Sequence, residues 1–159
     1  MMKNEITDHE IIASYQRLPF AKRNIQLNRL CKHVSNLQKK EGDRDFHKSF
    51  EIRGQLGSGA FGTVHLCISR ALTTPCAVKI IEKKSILQHP NRDKLCVLLK
   101  GEILSLRALR GPTQHRNLTR VVGLYEDEDK YYFVMELITG GTLLKLLEMQ
   151  KPNVNSSSR

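Results

Sequence analysis

A glycine-rich segment contains the residues whose types and spacing most directly suggest chemistry. It consists of Gly57, Ser58, Gly59, Ala60, Phe61 and Gly62. Glycines at this spacing let a backbone curve closely over phosphate groups and offer its N–H groups to them. In dinucleotide-binding folds the same pattern opens a helix, but here Thr63 and Val64 begin a β-rich stretch. We therefore predict a phosphate-binding hairpin with Phe61 at its tip, and a glycine-rich hairpin without a ligand is the alternative.

Lys79 and Glu102 are the charged residues that could support such a site. Lys79 lies in a predicted strand between Val78 and Ile80, so its side chain points to the face opposite theirs. A lysine on a covered face is costly unless it is paired. Glu102 lies on the long predicted helix of this region and is the candidate partner, with Leu98 expected on the same inward face. The alternatives are a surface lysine on an edge strand and a solvated Glu102.

These segments occur in an order that resembles the small lobe of protein kinases. The run from Ala77 to Ile80 is similar to the Val-Ala-Ile-Lys signature, and residues 131–143 are similar to the strand, hinge and Gly-Gly linker of that family. The resemblance covers residues 50–149, and the residues that follow Lys79 are most similar to the calcium/calmodulin-dependent group of serine/threonine kinases. It implies an α+β fold with a five-stranded antiparallel sheet and one αC-type helix.

The resemblance also implies ATP as the cofactor and a role for each site residue. Lys79 would contact the α- and β-phosphates and Glu102 would hold it in place. Met135 would be the gatekeeper behind the adenine, whose edge would bond to the carbonyl of Glu136 and the N–H of Ile138. The side chains that cover the adenine ring would be those of Leu56, Val64 and Ala77, and residues 57–63 would contact the phosphates.

The 159 residues contain no His-Arg-Asp and no Asp-Phe-Gly sequence, the motifs that provide the base and metal ligands of protein kinases. We therefore expect a truncated serine/threonine kinase that is inactive by itself. Mg²⁺ is expected only with the missing C-terminal lobe, and a protein substrate only in the full-length form. The alternative function is a non-catalytic, kinase-like interaction module.

The elements that must position these residues fall into three predicted regions. Residues 1–48 read as a helical N-terminal extension broken at Pro19, residues 49–150 as the small lobe, and residues 151–159 as a disordered tail. Within the lobe the pattern predicts strands at 50–56, 63–69, 76–81, 119–125 and 131–137, with helices at 92–109 and 142–149. The last helix normally docks on the other lobe, so we expect its apolar face to be exposed.

Composition limits the kinds of partner and the cellular location that we expect. The net charge is +10, but basic residues are scattered and often lie beside acids, which argues against specific nucleic-acid binding. The sequence predicts neither a membrane span nor a secretory signal, and four cysteines without metal-site spacing predict reduced thiols. We therefore expect a cytoplasmic location. The N-terminal helices are expected to pack on the small lobe or to bind a partner.

Overall fold

A computed structural model describes residues 6–40, 45–110, 115 and 117–149. The helices are α1 (Asp8–Arg17), α2 (Phe20–Lys40), α3 (Phe46–Ser49), α4 (Lys83–Leu87), α5 (Arg92–Leu109) and α6 (Leu143–Met149). The strands are β1 (Phe50–Gly59), β2 (Gly62–Ser69), β3 (Pro75–Glu82), β4 (Val121–Glu126) and β5 (Lys130–Glu136). The predicted tail at residues 151–159 lies outside the described residues.

The five strands form one antiparallel sheet in the order β1-β2-β3-β5-β4. This arrangement confirms the predicted α+β fold, and α5 is the αC-type helix. Alternation along β3 defines two faces of the sheet. Ala77, Lys79 and Ile81 lie on what we call the inner face. Cys76, Val78 and Ile80 lie on the outer face, where they join a different apolar cluster.

Helix α2 covers the outer face of the sheet. Leu27, Leu30 and Val34 are buried there against Val78 and Val134. Each fully buried side chain of this kind contributes about 1.5–3 kcal/mol relative to an exposed one. The N-terminal helices therefore pack on the small lobe, which was one of the two predicted arrangements, and the chain turns between α1 and α2 at Pro19 as predicted.

Helix α5 covers one end of the inner face. Its bounds are those that the sequence pattern predicts, and Leu99, Ile103 and Leu106 pack against Ile81 and Phe133. The prediction that Leu98 faces inward is wrong in part, because about half of its surface is exposed, although the side chain also lines a cavity beside Glu102. The stripe at 99, 103 and 106 follows the helical repeat and turns Leu98 towards solvent.

Two short helices, α3 and α4, were not predicted because four or five residues carry too little periodicity. Helix α6 has no buried residue, and its leucines are exposed as expected. Among the described residues, no helix combines the length and apolarity that a bilayer crossing requires. All four cysteines are free thiols.

Candidate nucleotide-binding site

The glycine-rich segment forms a tight hairpin between β1 and β2. Gly59 pairs with Gly62 across it, and Ala60 and Phe61 make the turn. Gly62 has φ +157°, and a Cβ at that position would overlap the carbonyl oxygen of Ile80. Gly57 and Gly59 are different, because no heavy atom lies within 4 Å of the place that a Cβ would occupy. Packing of the sheet therefore requires a glycine only at position 62. Gly57 and Gly59 instead leave open space in which a ligand can approach the backbone.

Lys79 and Glu102 meet at the inner face. Lys79 Nζ donates to Glu102 Oε1 at 2.6 Å, and the two side chains are 21% and 33% exposed. Residue 79 lies between Val64 on β2 and Phe133 on β5, which fixes its position across three strands. An ammonium group has three N–H donors, so pairing with one carboxylate oxygen leaves donors for an anionic ligand.

Phe61 turns inward from the tip of the hairpin. Its ring centroid lies 5.8 Å from Lys79 Nζ, within the range of a cation–π contact. The ring packs at the margin of the α5 cluster and lines a cavity of about 170 Å³, together with Ile86, Leu99 and Glu102. The predicted part of Phe61 in shielding phosphates from water stays a prediction.

Three of the residues predicted to contact adenine pack in one cluster with helix α1. Val64, Ala77 and Met135 belong to an apolar cluster with Tyr15 of α1. Ala77 is only 7% exposed. The other members of this cluster are Ile11, Ile12, Leu18, Leu66 and Leu137. Helix α1 therefore lies against the inner face where the resemblance places the adenine ring.

Three further predicted contacts lie around this cluster. Leu56 is exposed on β1, and Ile138 is 63% exposed just beyond β5. Glu136 ends β5, where its N–H donates to the carbonyl of Arg120 at 2.9 Å and its Oε1 accepts the N–H of Arg120 at 2.8 Å. These two hydrogen bonds fix the start of the predicted hinge.

Local interactions define α1 and attach it to the sheet. Thr7 and Glu10 form a capping box that starts the helix. Asp8 Oδ2 accepts the N–H of Gly54 on β1 at 2.7 Å. At the other end Tyr15 is buried, and the Arg23 guanidinium lies 5.9 Å from its ring centroid. Burial raises the pKa of Tyr15 above its ordinary value, so the phenol stays protonated.

Sequence reasoning missed this placement of α1. The apolar residues at 11, 12, 15 and 18 are spaced as one face of a helix, and that spacing predicted the helix. The signal that could have found the contact was the apolar stripe of α1, for which the sequence indicated packing on the small lobe but not the surface that it covers.

Across residues 6–40, 45–110, 115 and 117–149, no three His, Cys, Asp or Glu side chains come together as metal ligands.

Comparison with known proteins identifies the family. Residues 50–158 match the protein kinase domain, so the chain belongs to the protein kinase family. An Aurora kinase of Saccharomyces cerevisiae is 31% identical over 103 residues, which cover 65% of this chain and 26% of that protein. Calcium-dependent protein kinase 5 of Plasmodium berghei is 36% identical over 100 residues, covering 62% and 16%.

A solved structure supports the same fold. The crystal structure of Rad53 1-466 in complex with AMP-PNP has a TM-score of 0.56 and 31% sequence identity, covering 74% of this chain and 28% of that one. The chain thus spans between 16% and 28% of the length of these three relatives. The resemblance to a protein kinase small lobe is confirmed, and calcium-dependent kinases are among the relatives.

Proposed function

We propose that residues 49–150 hold ATP for phosphoryl transfer to serine or threonine side chains of a protein substrate. The observation that carries this proposal is the 2.6 Å pair of Lys79 and Glu102 beside the glycine hairpin. When a carboxylate holds a lysine in one position, the remaining N–H donors of the lysine can face a bound anion without further ordering of its side chain.

The proposed roles divide along the inner face. The backbone of residues 57–63 and Lys79 would hold the phosphates, and Glu102 positions Lys79. Leu56, Val64 and Ala77 would cover the adenine, Met135 would lie behind it, and Glu136 and Ile138 would offer backbone groups to its edge. Open space at Gly57 and Gly59 supports the phosphate part of this assignment.

Residues 1–159 by themselves are proposed to transfer no phosphate. Catalysis of phosphoryl transfer depends on positioned groups that neutralise developing charge and orient the nucleophile. The base and metal ligands of the family's motifs are not in this sequence, and Mg²⁺ belongs with them. The purified chain should show no incorporation of labelled phosphate into peptides above background, and transfer at the rate of an intact kinase would contradict this statement.

Calorimetry tests the phosphate role of Lys79. The change is Lys79→Ala, and the matched control is Lys84→Ala, which removes the same charge from an exposed position. A hydrogen bond to a charged group contributes about 1.5–3 kcal/mol, so Lys79→Ala should weaken ATP binding about tenfold or more while the control changes it little. Equal affinities of the two variants would remove Lys79 from the site.

The second candidate is a kinase-like interaction module that does not turn over ATP. It is favoured by the α1 helix, which already covers Ala77. The two candidates differ in one measurement, since the module predicts no ATP binding even after α1 has been detached. For either candidate we propose a cytoplasmic location, supported by the four free thiols.

A further inference from the structure

Helix α1 covers the part of the inner face to which adenine is assigned. Tyr15 is 5% exposed and shares a cluster with Ala77, Leu66 and Leu137, while Val64 and Met135 pack at the margin of that cluster. Ala77 has one of the smallest side chains of the sheet, and on an uncovered sheet face it would be accessible. Ala77 is buried in the cluster to which α1 contributes Ile11, Ile12 and Tyr15, so α1 packs over this part of the face.

The attachment of α1 is specific at both ends. At its start the Asp8 carboxylate accepts the N–H of Gly54 on the strand that leads into the glycine hairpin. Beyond its end the chain turns at Pro19 into α2, which is held to the outer face by buried leucines. Helix α1 is thus a short arm between two fixed points, and release of Asp8 and Tyr15 would free it while α2 remains in place.

The phosphate side of the site is not covered in the same way. Gly57 and Gly59 are open, and Lys79 and Glu102 contact the α5 side of the face rather than α1. A ligand that consists only of phosphates would therefore reach its place beside α1. A ligand with an adenine ring would meet Tyr15 and Ile12.

We propose that α1 is an intramolecular competitor of ATP that occupies the adenine surface, so that nucleotide binds only when α1 moves off the sheet. This inference rests on the proposed ATP-binding function. If the competent state is a minor one, the measured affinity is lowered by its population. By linkage, ATP must also shift α1 towards the released state.

A reversible cross-link tests the competition in the full chain. A Cβ built on Gly54 would lie 3.7 Å from Asp8 Cγ, which is about where the sulfur of a cysteine at position 8 would lie, so an Asp8→Cys, Gly54→Cys pair brings two thiols together for oxidation to a disulfide. The oxidised variant should bind ATP at least about tenfold more weakly than the reduced variant, because the locked helix has no released state. The unaltered chain under the same oxidant controls for its own four cysteines.

Inorganic triphosphate is the matched ligand control. Its affinity should be the same in the oxidised and reduced variants, since it needs only the hairpin and Lys79. A loss of triphosphate binding on oxidation would mean that the cross-link distorts the hairpin, and it would overturn the competition. Equal ATP affinity in the two redox states would also overturn it, while leaving the proposed ATP site in place.

Substitutions on α1 test the same competition without a cross-link. Tyr15→Ser should tighten ATP binding about tenfold because it removes the central contact of α1, whereas Gln16→Ala on the exposed side of the same helix should have no effect. Hydrogen exchange should show faster exchange at residues 8–17 when ATP is added to the unaltered chain. Absence of ATP binding in every form, including Tyr15→Ser and the reduced pair, would overturn the proposed function itself.

Discussion

Gly62 and Gly59 differ in a way that separates folding from ligand binding at the hairpin. Both belong to the glycine pattern, yet only Gly62 is required by the sheet. Its φ of +157° and the overlap of a Cβ with the Ile80 carbonyl mean that Gly62→Ala must push β2 away from β3. At Gly59 a methyl group would enter open space.

The magnitude follows from two costs. A residue held in an unfavourable backbone conformation costs about 1–3 kcal/mol, and a methyl group forced into a packed site costs about 1–3 kcal/mol more. Gly62→Ala should therefore lower the free energy of unfolding by about 2–6 kcal/mol. A loss of 3 kcal/mol corresponds to about 6–12 °C in Tm for a chain of this size. Gly59→Ala should change stability by less than about 0.5 kcal/mol.

Urea unfolding followed by circular dichroism measures both variants, and calorimetry gives their ATP affinity. We expect Gly59→Ala to fold like the unaltered chain and to bind ATP more weakly, because its methyl group would lie where the phosphates approach. If Gly62→Ala were as stable as Gly59→Ala, the geometry of the hairpin would be wrong. If Gly59→Ala bound ATP as tightly as the unaltered chain, the phosphates would not approach the backbone at Gly59.

Three further predictions address the rest of the fold. Leu30→Ala should lower the free energy of unfolding by about 2–5 kcal/mol in one cooperative transition, because α2 and the sheet share a core. An unchanged midpoint of urea unfolding would contradict this shared core. Burial alone would raise the pKa of Asp127, but hydrogen bonds from Tyr132 and two backbone N–H groups lower it. The stabilising contribution of Asp127 is therefore complete above the ordinary carboxyl pKa of about 3.9 and is lost as the pH falls through the lowered pKa. Asp127→Asn should destabilise the chain at neutral pH and progressively less in acid. A loss of stability that did not depend on pH would refute this role of the Asp127 carboxylate. Burial raises the pKa of Cys67 and Cys76, so thiol reagents should modify these two thiols only when the chain unfolds. Rapid labelling in the native state would show that α2 leaves the outer face open.

Local signals predicted much of the fold. The bounds of α5 follow from its apolar repeat, and Pro19 placed the turn between α1 and α2. The strands were found through β-branched residues and turn residues around them, with ends that differ by up to three residues. Family motifs led to Lys79 and Glu102 because both the residue types and their order are specific.

The position of α1 was beyond these signals. Ile12 and Tyr15 reveal an apolar helix face, but periodicity does not say which distant surface that face will cover. The contact of Asp8 with Gly54 joins residues far apart in the chain, and it depends on an irregular stretch of β1 between Ile52 and Gln55. Such a contact is decided by packing of the whole domain rather than by local propensity.

An amide NMR titration of the chain with ATP tests most directly whether nucleotide binds at the glycine hairpin and displaces α1. We expect shift changes at Gly57, Gly59 and Lys79, accompanied by changes along α1 at Ile12 and Tyr15 as the helix leaves the inner face. Changes confined to the outer face under α2, or none at ATP concentrations that saturate binding, would contradict this expectation.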